Sequence, residues 1–386
     1  MKESRRIAQL PESATLGLAA RAADMREQGI DVLSMAVGEP DFRAPETARQ
    51  TAMTAIGGEV KYTHASGNAS LRQALARHLN ETRGLEIGPE GIVVGHSCKH
   101  VLSSALLALV ENGDEVLLPT PTWNSYDAMV DLADGTPVHV APRADLSPDL
   151  DAIAGAIGPR TKGILFSTPA NPSGYVWSRA ELTTLMGLAE EHDLWVISDE
   201  IYRRLVHEGE PFCSPASLSP AAAARTVIVD GASKSYAMTG YRIGYMAGPA
   251  NIASGIGRLQ SQTTGCPNSI SQAAYESVLA TEPPEVASMA EQFNTRRLRL
   301  LDGLEGIGLN CPRPRGAFYA FPDVASLIDE RGSAGFCADL LESQALALVP
   351  GTVFGLEGHV RMSYALSIDR IDEAVHRLGT FLKTRS

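Results

Sequence analysis

The sequence predicts an α/β protein, with a largely parallel sheet covered by helices on both faces and a smaller α+β region beside it. Three observations predict this. From about Gly91 onward, short β-branched runs alternate with amphipathic helical patterns. The runs are apolar nearly throughout, not at every second residue. After about Glu285 the alternation gives way to a charged helix, short strands and a last helix. Strands apolar on both sides belong to a sheet buried on both sides, which helical crossovers between parallel strands provide.

The strand candidates of the main sheet are residues 92–95, 115–119, 137–141, 163–167, 194–199, 226–230 and 243–247. Between them, 99–110 repeats Val101, Leu102, Ala105, Leu106 and Leu109 on one helical face, and 179–192 does the same with Leu182, Leu185, Met186 and Ala189. Past Glu285 come a helix over 289–303 carrying Arg296, Arg297 and Arg299, strands at 317–322, 347–350 and 359–364, and a final helix over 368–383. The expected division is a large domain of residues 45–285 and a small domain of 1–44 with 286–386. A ligand is expected outside the carboxyl ends of the parallel strands.

Composition excludes several function classes. Of 386 residues, 44% are hydrophobic and 20% charged, enough apolar matter for a substantial core and too much for disorder. Lys plus Arg (33) against Asp plus Glu (45) leaves a net charge of −12, which disfavours a scaffold for nucleic acid or an anionic membrane but permits a local cationic pocket. The five cysteines, Cys98, Cys213, Cys266, Cys311 and Cys337, are scattered and form no C-x-x-C pair. Neither a disulfide framework nor a metal site is expected, and a cytoplasmic location fits. Charges interrupt the N-terminal stretch too often for a signal peptide. The longest apolar run, 101–110, includes Ser103 and Ser104 and is too short to span a bilayer.

The strand ends carry the chemistry. After 163–167 comes Thr-Pro-Ala-Asn171-Pro-Ser-Gly; at the end of 194–199 stands Asp199-Glu-Ile-Tyr202. Beyond 226–230 comes Gly231-Ala-Ser233-Lys234-Ser, with Arg242 eight residues after Lys234. Trp123 follows 115–119, and Ser97-Cys98-Lys99 opens a helix after 92–95. Each has a bland reading: surface lysine, helix-capping Asp, Asn-Pro turn, core Trp. One ligand uses all of them together. Pyridoxal phosphate needs an amine for its aldehyde, a carboxylate for its ring nitrogen, an amide and a hydroxyl for its phenolic oxygen, an aromatic plate, and helix N–H groups with an arginine for its phosphate. No Gly-x-Gly-x-x-Gly follows a strand and no Gly-x-x-x-x-Gly-Lys-Ser/Thr is present, so nicotinamide and nucleoside-triphosphate readings fall away.

Val-Gly38-Glu-Pro-Asp-Phe, Lys-Tyr62, Asn171-Pro-Ser-Gly, Asp199-Glu-Ile-Tyr202, Ser233-Lys234 through Arg242-Ile-Gly, and Val-Arg361-Met-Ser-Tyr occur in this order along nearly the whole chain. Together they resemble the class I/II aminotransferases of fold type I, which use pyridoxal 5'-phosphate, and most closely the bacterial aspartate/prephenate branch. The resemblance implies a mostly parallel seven-stranded sheet and a set of roles. Lys234 would hold the cofactor and then move the proton. Asp199 would pair with the ring nitrogen, Tyr202 and Asn171 with the phenolic oxygen, and Trp123 would stack on the ring. Ser97, Cys98, Lys99, Ser233 and Arg242 would hold the phosphate, with Tyr62 reaching in from the other subunit of a homodimer. Arg361 would clamp the substrate carboxylate, helped by Asn171, Trp123 and Gly38. Lys99, Ser13 and Thr15 would read a distal carboxylate. Without the resemblance, Arg361 reads as an exposed strand arginine.

Some positions depart from the family. Gly231 stands where many relatives have a serine, and Ser97-Cys98 replaces a frequent Gly-Gly. A helix start could make Cys98 reactive, but a small packing residue is the expected role. Gly265-Cys266 replaces hydroxyl residues on the substrate side, and Pro11 a frequent lysine. The implied reaction is ping-pong transfer of an amino group from an L-amino acid, with aspartate or glutamate the best guess, to a 2-oxo acid. Alternatives are transfer from an aromatic, alanine or arginine donor, and β-elimination or racemisation on the same fold. A cofactor-sensing regulator would carry a DNA-binding domain, for which the about 35 residues before Gly38 leave no room.

Overall fold

The computed structural model describes residues 1–8, 10 and 14–384, without the side chains of residues 5, 6, 14–16, 18 and 19. The N-terminal segment contributes strand β1 (Leu33–Ser34). Seven strands then build the main sheet: β2 (Ile92–Gly95), β3 (Glu115–Pro119), β4 (Thr136–Val140), β5 (Thr161–Ser167), β6 (Trp195–Asp199), β7 (Thr226–Gly231) and β8 (Gly244–Ala247). Their spatial order is β2-β8-β7-β6-β5-β3-β4, and only β8 runs against its neighbours. Leu117, Ile164, Leu165, Val196, Ile197 and Val229 are fully buried, as strands covered on both faces require. Pro137 pairs within β4, the edge strand, where a missing N–H is tolerated.

Because β8 is reversed, its start lies at the edge where β5, β6 and β7 end. Gly244 is the register partner of both Gly95 and Gly231. That reversal brings Arg242, two residues before Gly244, to the same edge as Lys234, three residues after Gly231.

The smaller region pairs β1 with β10 (Leu346–Ala347) and forms a three-stranded antiparallel sheet from β11 (Val349–Pro350), β12 (Val360–Ser363) and β9 (Tyr319–Ala320). The single strand expected over 347–350 is two short strands, because the chain changes partner at Leu348, from β1 on one side to β12 on the other. The strand expected over 317–322 shrinks to two residues: Ala317 has a left-handed φ of 59°, and its N–H bonds Leu205 outside the sheet. The charged helix begins earlier than its apolar repeat suggests, at Pro284, where a proline suits the first helical position. The last helix, Ile368–Lys383, falls where expected. One core joins this region to the main sheet's edge, with Ile201, Tyr202 and Leu205 packed among Phe293, Phe318, Tyr319 and Met362.

Beneath the strand ends lies a buried ionic cluster. Arg83, the last residue of helix Ala69–Arg83, donates to both Glu200 and Asp230. Its side chain is 1% exposed, and theirs 0% and 2%. Arg203 Nε donates to Asp230 at 2.9 Å, the Ser214 and Ser198 hydroxyls donate to Glu200 at 2.6 and 3.1 Å, and Tyr245 Oη donates to Asp230 at 3.2 Å. Burial and three neighbouring arginines push His78 down to about 3, so it stays neutral beside them. Removing one member of a buried ion pair strands its partner, at a cost of about 3–5 kcal/mol. Arg83→Met should therefore lower the urea unfolding midpoint by a loss of that order, and adding Glu200→Met should recover part of it.

Candidate active site

The site forms where the strand ends meet the smaller region. Gly38, Ser97, Cys98, Lys99, Trp123, Asn171, Asp199, Tyr202, Ser233, Lys234, Arg242 and Arg361, all expected from the sequence, line one cavity of about 310 Å³. Three expected residues are not among them. Tyr62 lies on the surface with a fully exposed side chain, and its neighbour Thr63 donates its N–H to Cys266 Sγ at 3.3 Å. Ser13 lies outside the described residues, and so does the side chain of Thr15. The cavity also gathers five residues that sequence reasoning missed: Tyr126, Ser167, Ile201, Thr239 and Tyr319.

Lys234 sits in the short helix Ala232–Ser235 directly after β7. Its Nζ donates to the Gly38 carbonyl at 2.6 Å. Burial lowers its pKa to about 8, helped by Arg242 and Arg361 and opposed by Cys98 and Glu39. An amine so lowered gives up its proton far more readily than an ordinary lysine, which suits proton transfer.

Asp199 ends β6 with its carboxylate enclosed. Tyr126 Oη donates to Oδ2 at 2.8 Å and the Ile201 N–H to Oδ1 at 3.2 Å. Burial raises this carboxyl to about 7, against the pull of both hydrogen bonds and with Asp230 and Glu200 adding to the rise. Tyr126 follows Trp123 by three residues, with the two rings edge-to-face at 5.5 Å. That spacing alone does not mark Tyr126 in the sequence, where a tyrosine in an apolar run reads as core.

Arg361, on β12, is 7% exposed, which overturns the surface reading of a strand arginine. It donates to Asn171 Oδ1 at 2.9 Å and to the Ala36 carbonyl at 2.7 Å, and its guanidinium lies over the rings of Tyr319 at 4.5 Å and Phe354 at 5.0 Å. Its Nε is buried without a partner. Since guanidinium only donates, it fixes the Asn171 amide with the oxygen toward Arg361 and leaves the NH₂ free to donate elsewhere. Tyr202 Oη lies 2.9 Å from Tyr319 Oη.

The helix Cys98–Leu109 begins without a side-chain cap, so its first N–H groups are free for an anion. Ser97 at its start holds φ 100° and Arg242 holds φ 52°, both in the region that favours glycine. Arg242 Nη1 donates to the Thr239 carbonyl at 2.9 Å. Cys98 fills a notch: a Cβ on Gly231 or Gly244 would lie 2.8 or 2.9 Å from its Sγ. Burial, with Asp199 and Asp230, pushes the thiol well up. Its packing role is therefore as expected, and the helix start does not make it a thiolate. Lys99 Nζ reaches Ser125 Oγ at 3.1 Å and sits 4.6 Å over the Trp123 ring, with its pKa lowered by burial and by Arg242.

This donor set fits pyridoxal phosphate. The buried Asp199 carboxylate lacks a cation that a protonated ring nitrogen would supply. The unpartnered Arg361 Nε marks a carboxylate seat, and the uncapped helix start with Arg242, Ser97 and Ser233 is an anion cradle. Asp199 also sets a pH dependence. Its folded pKa is raised, so the folded protein binds the extra proton, and without cofactor its stability falls as pH rises from 3.8 through about 7. Cofactor-free Asp199→Asn should lack that loss and match or exceed the parent's thermal midpoint at alkaline pH, as read by melting at several pH values.

Known proteins agree with this geometry. The family profile "Aminotransferase class I and II" matches residues 30–378. The aspartate aminotransferase of Geobacillus stearothermophilus is 38% identical over 397 residues, covering 100% of both chains. The aspartate/prephenate aminotransferase of Thermus thermophilus is 38% identical, covering 98% of each. Among solved structures, Thermus thermophilus aspartate aminotransferase with maleate superposes with a TM-score of 0.94 at 37% identity, covering 98% of this chain and 99% of that one. The Rhizobium meliloti enzyme superposes with a TM-score of 0.96 at 37% identity over the full length of both. With its profile match, its full-length relatives and a cavity built for that cofactor, the chain belongs to the class I and II aminotransferases, enzymes that use pyridoxal 5'-phosphate.

Proposed function

We propose that this enzyme moves the amino group of a dicarboxylic L-amino acid, aspartate or glutamate, to a 2-oxo acid in two half-reactions at one site. The observation that carries the reading is the convergence of Lys234, Asp199 and Arg361 in one cavity. Bound pyridoxal phosphate supplies a carbonyl that carries the amino group and a ring that takes up electron density. The residues do the rest. Arg361 and Asn171 bind the α-carboxylate, which orients the α-hydrogen. Lys234 Nζ, within the same cavity, would take up that proton and hold it for the second half-reaction. The Asp199 carboxylate keeps the ring nitrogen protonated, and Tyr202 with the Asn171 amide donates to the phenolic oxygen. Trp123 covers the ring and excludes water. The free N–H groups of Cys98 and Lys99, with Ser97, Ser233 and Arg242, hold the phosphate.

Charge supports a second carboxylate on the substrate. Among the described residues, four cations, Lys99, Lys234, Arg242 and Arg361, line the cavity against one carboxylate, Asp199. With Arg242 given to the phosphate and Arg361 to the α-carboxylate, Lys99 is the cation left for the side chain. Several relatives are named for aspartate. Residues 1–44 and 286–386 form the smaller domain in this reading, and 45–285 the cofactor-binding one. A homodimer completes each site: Tyr62 is fully exposed and does not line its own cavity, on a loop tied down by Cys266, so its hydroxyl is available to the phosphate of a second copy.

The test is two-substrate turnover without ammonia release, with borohydride reduction fixing the cofactor to the peptide that contains Lys234; label on another lysine overturns the site. Across aspartate, glutamate, alanine and phenylalanine, Lys99→Ala should raise KM ~10-fold for the acids and less than ~2-fold for the neutral donors. An equal loss for all donors would remove Lys99 from side-chain recognition. For the dimer, mixing Tyr62→Phe chains with Lys234→Ala chains should create one intact site per hybrid. Activity above that of both parent variants is expected, and no gain would mean that sites are not shared.

A further inference from the structure

Tyr319 falls in a strand expected from the sequence but carried no role there, and its ring could be mere core. Its surroundings argue otherwise. The side chain is 1% exposed and held on β9, register partner of Ser363 on β12. Arg361 lies two residues from Ser363 on the same face of β12, so the Tyr319 ring meets it diagonally and carries the guanidinium 4.5 Å above its centre. At the other end, Tyr319 Oη lies 2.9 Å from Tyr202 Oη, with the two rings edge-to-face at 5.7 Å. The hydroxyl also abuts the substrate side: a Cβ on Gly38 would come within 2.5 Å of it. One rigid side chain thus touches the carboxylate-binding arginine, the phenol beside the cofactor's oxygen and the backbone that accepts from Lys234.

We infer that Tyr319 is a positioning residue that joins Arg361 to Tyr202: its ring sets the plane of the carboxylate clamp, and its hydroxyl donates to Tyr202 and so strengthens Tyr202 as a donor to the cofactor's phenolic oxygen. This rests on the roles of Arg361 and Tyr202 proposed above. The chemistry follows from hydrogen-bond polarisation. If Tyr319 gives its proton to Tyr202, the Tyr202 proton is free for the phenolic oxygen, and a hydroxyl that accepts a bond becomes a better donor. Burial pushes both phenols up, so each keeps its proton and the bond between them can run from Tyr319 to Tyr202. A phenylalanine would fill the same space and pack as well, so packing alone does not account for the hydroxyl. The ring and the hydroxyl therefore have separable functions.

The experiment separates them. In the holoenzyme, the pH midpoint of the cofactor's visible absorbance change is measured for the parent, Tyr202→Phe, Tyr319→Phe and the double variant. Losing a donor leaves more electron density on the phenolic oxygen and raises the proton affinity of the conjugated system. Tyr202→Phe should therefore move the midpoint up, Tyr319→Phe should move it up by less, and the double variant should match Tyr202→Phe alone, because the second hydroxyl acts only through the first. Maleate binding, read by the same absorbance, should weaken ~10-fold in Tyr319→Leu, which loses the plate under Arg361, and less than ~2-fold in Tyr319→Phe. If Tyr202→Phe moves the midpoint and Tyr319→Phe does not, or if the two shifts add, the inference is overturned while the reading of Tyr202 stands. If Tyr202→Phe itself leaves the midpoint in place, both fall, and the failure lies in the underlying reading.

Discussion

Everything at this site hangs from one buried guanidinium. Asp199 is followed directly by Glu200, and the segment that carries Lys234 is preceded by Asp230. Arg83 binds both of those carboxylates from below. Successive side chains point to opposite sides of an extended segment, so Asp199 lines the cavity while the adjacent Glu200 reaches Arg83. One cation thereby ties the ends of β6 and β7 together on the side away from the chemistry. The negative pair it neutralises would otherwise push Asp199 further toward its protonated form, since Glu200 and Asp230 both raise the Asp199 pKa. Position and charge at the active site thus share a support, Arg83 seconded by Arg203 on Asp230, that does not line the cavity.

The other half of the cavity is assembled from segments far apart in the chain. Arg361 comes from β12 yet bonds Asn171 beyond β5 and Ala36 beyond β1, while Lys234 bonds Gly38 in that same N-terminal segment. Thr239, beside Arg242, donates to Glu39. The N-terminal segment is also fixed at its start, with Asp31 paired to Arg370 and Arg377 of the last helix. Substrate-binding and cofactor-binding groups therefore meet at a seam whose two sides share a hydrophobic core through Tyr202 and Tyr319.

How much of this was legible in the sequence depended on whether a residue's chemistry or its burial marks it. Lys234, Asp199, Asn171 and Arg242 were legible because polar groups clustered at the ends of apolar strands need a reason to be there. The sheet was legible from its doubly apolar strands, and only the short strands at 317–322 and 347–350 were misjudged, since a two-residue ladder leaves no periodicity. Arg361 was legible only by resemblance, because one arginine in a strand normally faces water. Tyr126 and Tyr319 were not legible as site residues: a tyrosine in an apolar run reads as core, and its hydroxyl acquires meaning only from a partner distant in sequence. Arg83 was hidden for a related reason. A cation in the last turn of an amphipathic helix is an ordinary complement to the helix dipole, and nothing local says that two carboxylates will close over it.

The notch filled by Cys98 constrains how this corner of the protein can change. Three segments distant in sequence meet there at contact distance. A side chain on Gly231 would strike the Gly244 backbone as well as the thiol, and one on Gly244 would strike the Cys98 backbone at 2.5 Å. Gly231, Gly244 and the Cys98 thiol therefore share one tightly filled volume. A serine at 231 would collide with the Gly244 backbone and the thiol together, and removing the thiol would open a gap beside the phosphate cradle. A side chain at 231 would therefore need a small shift of β8 as well as a smaller residue at 98.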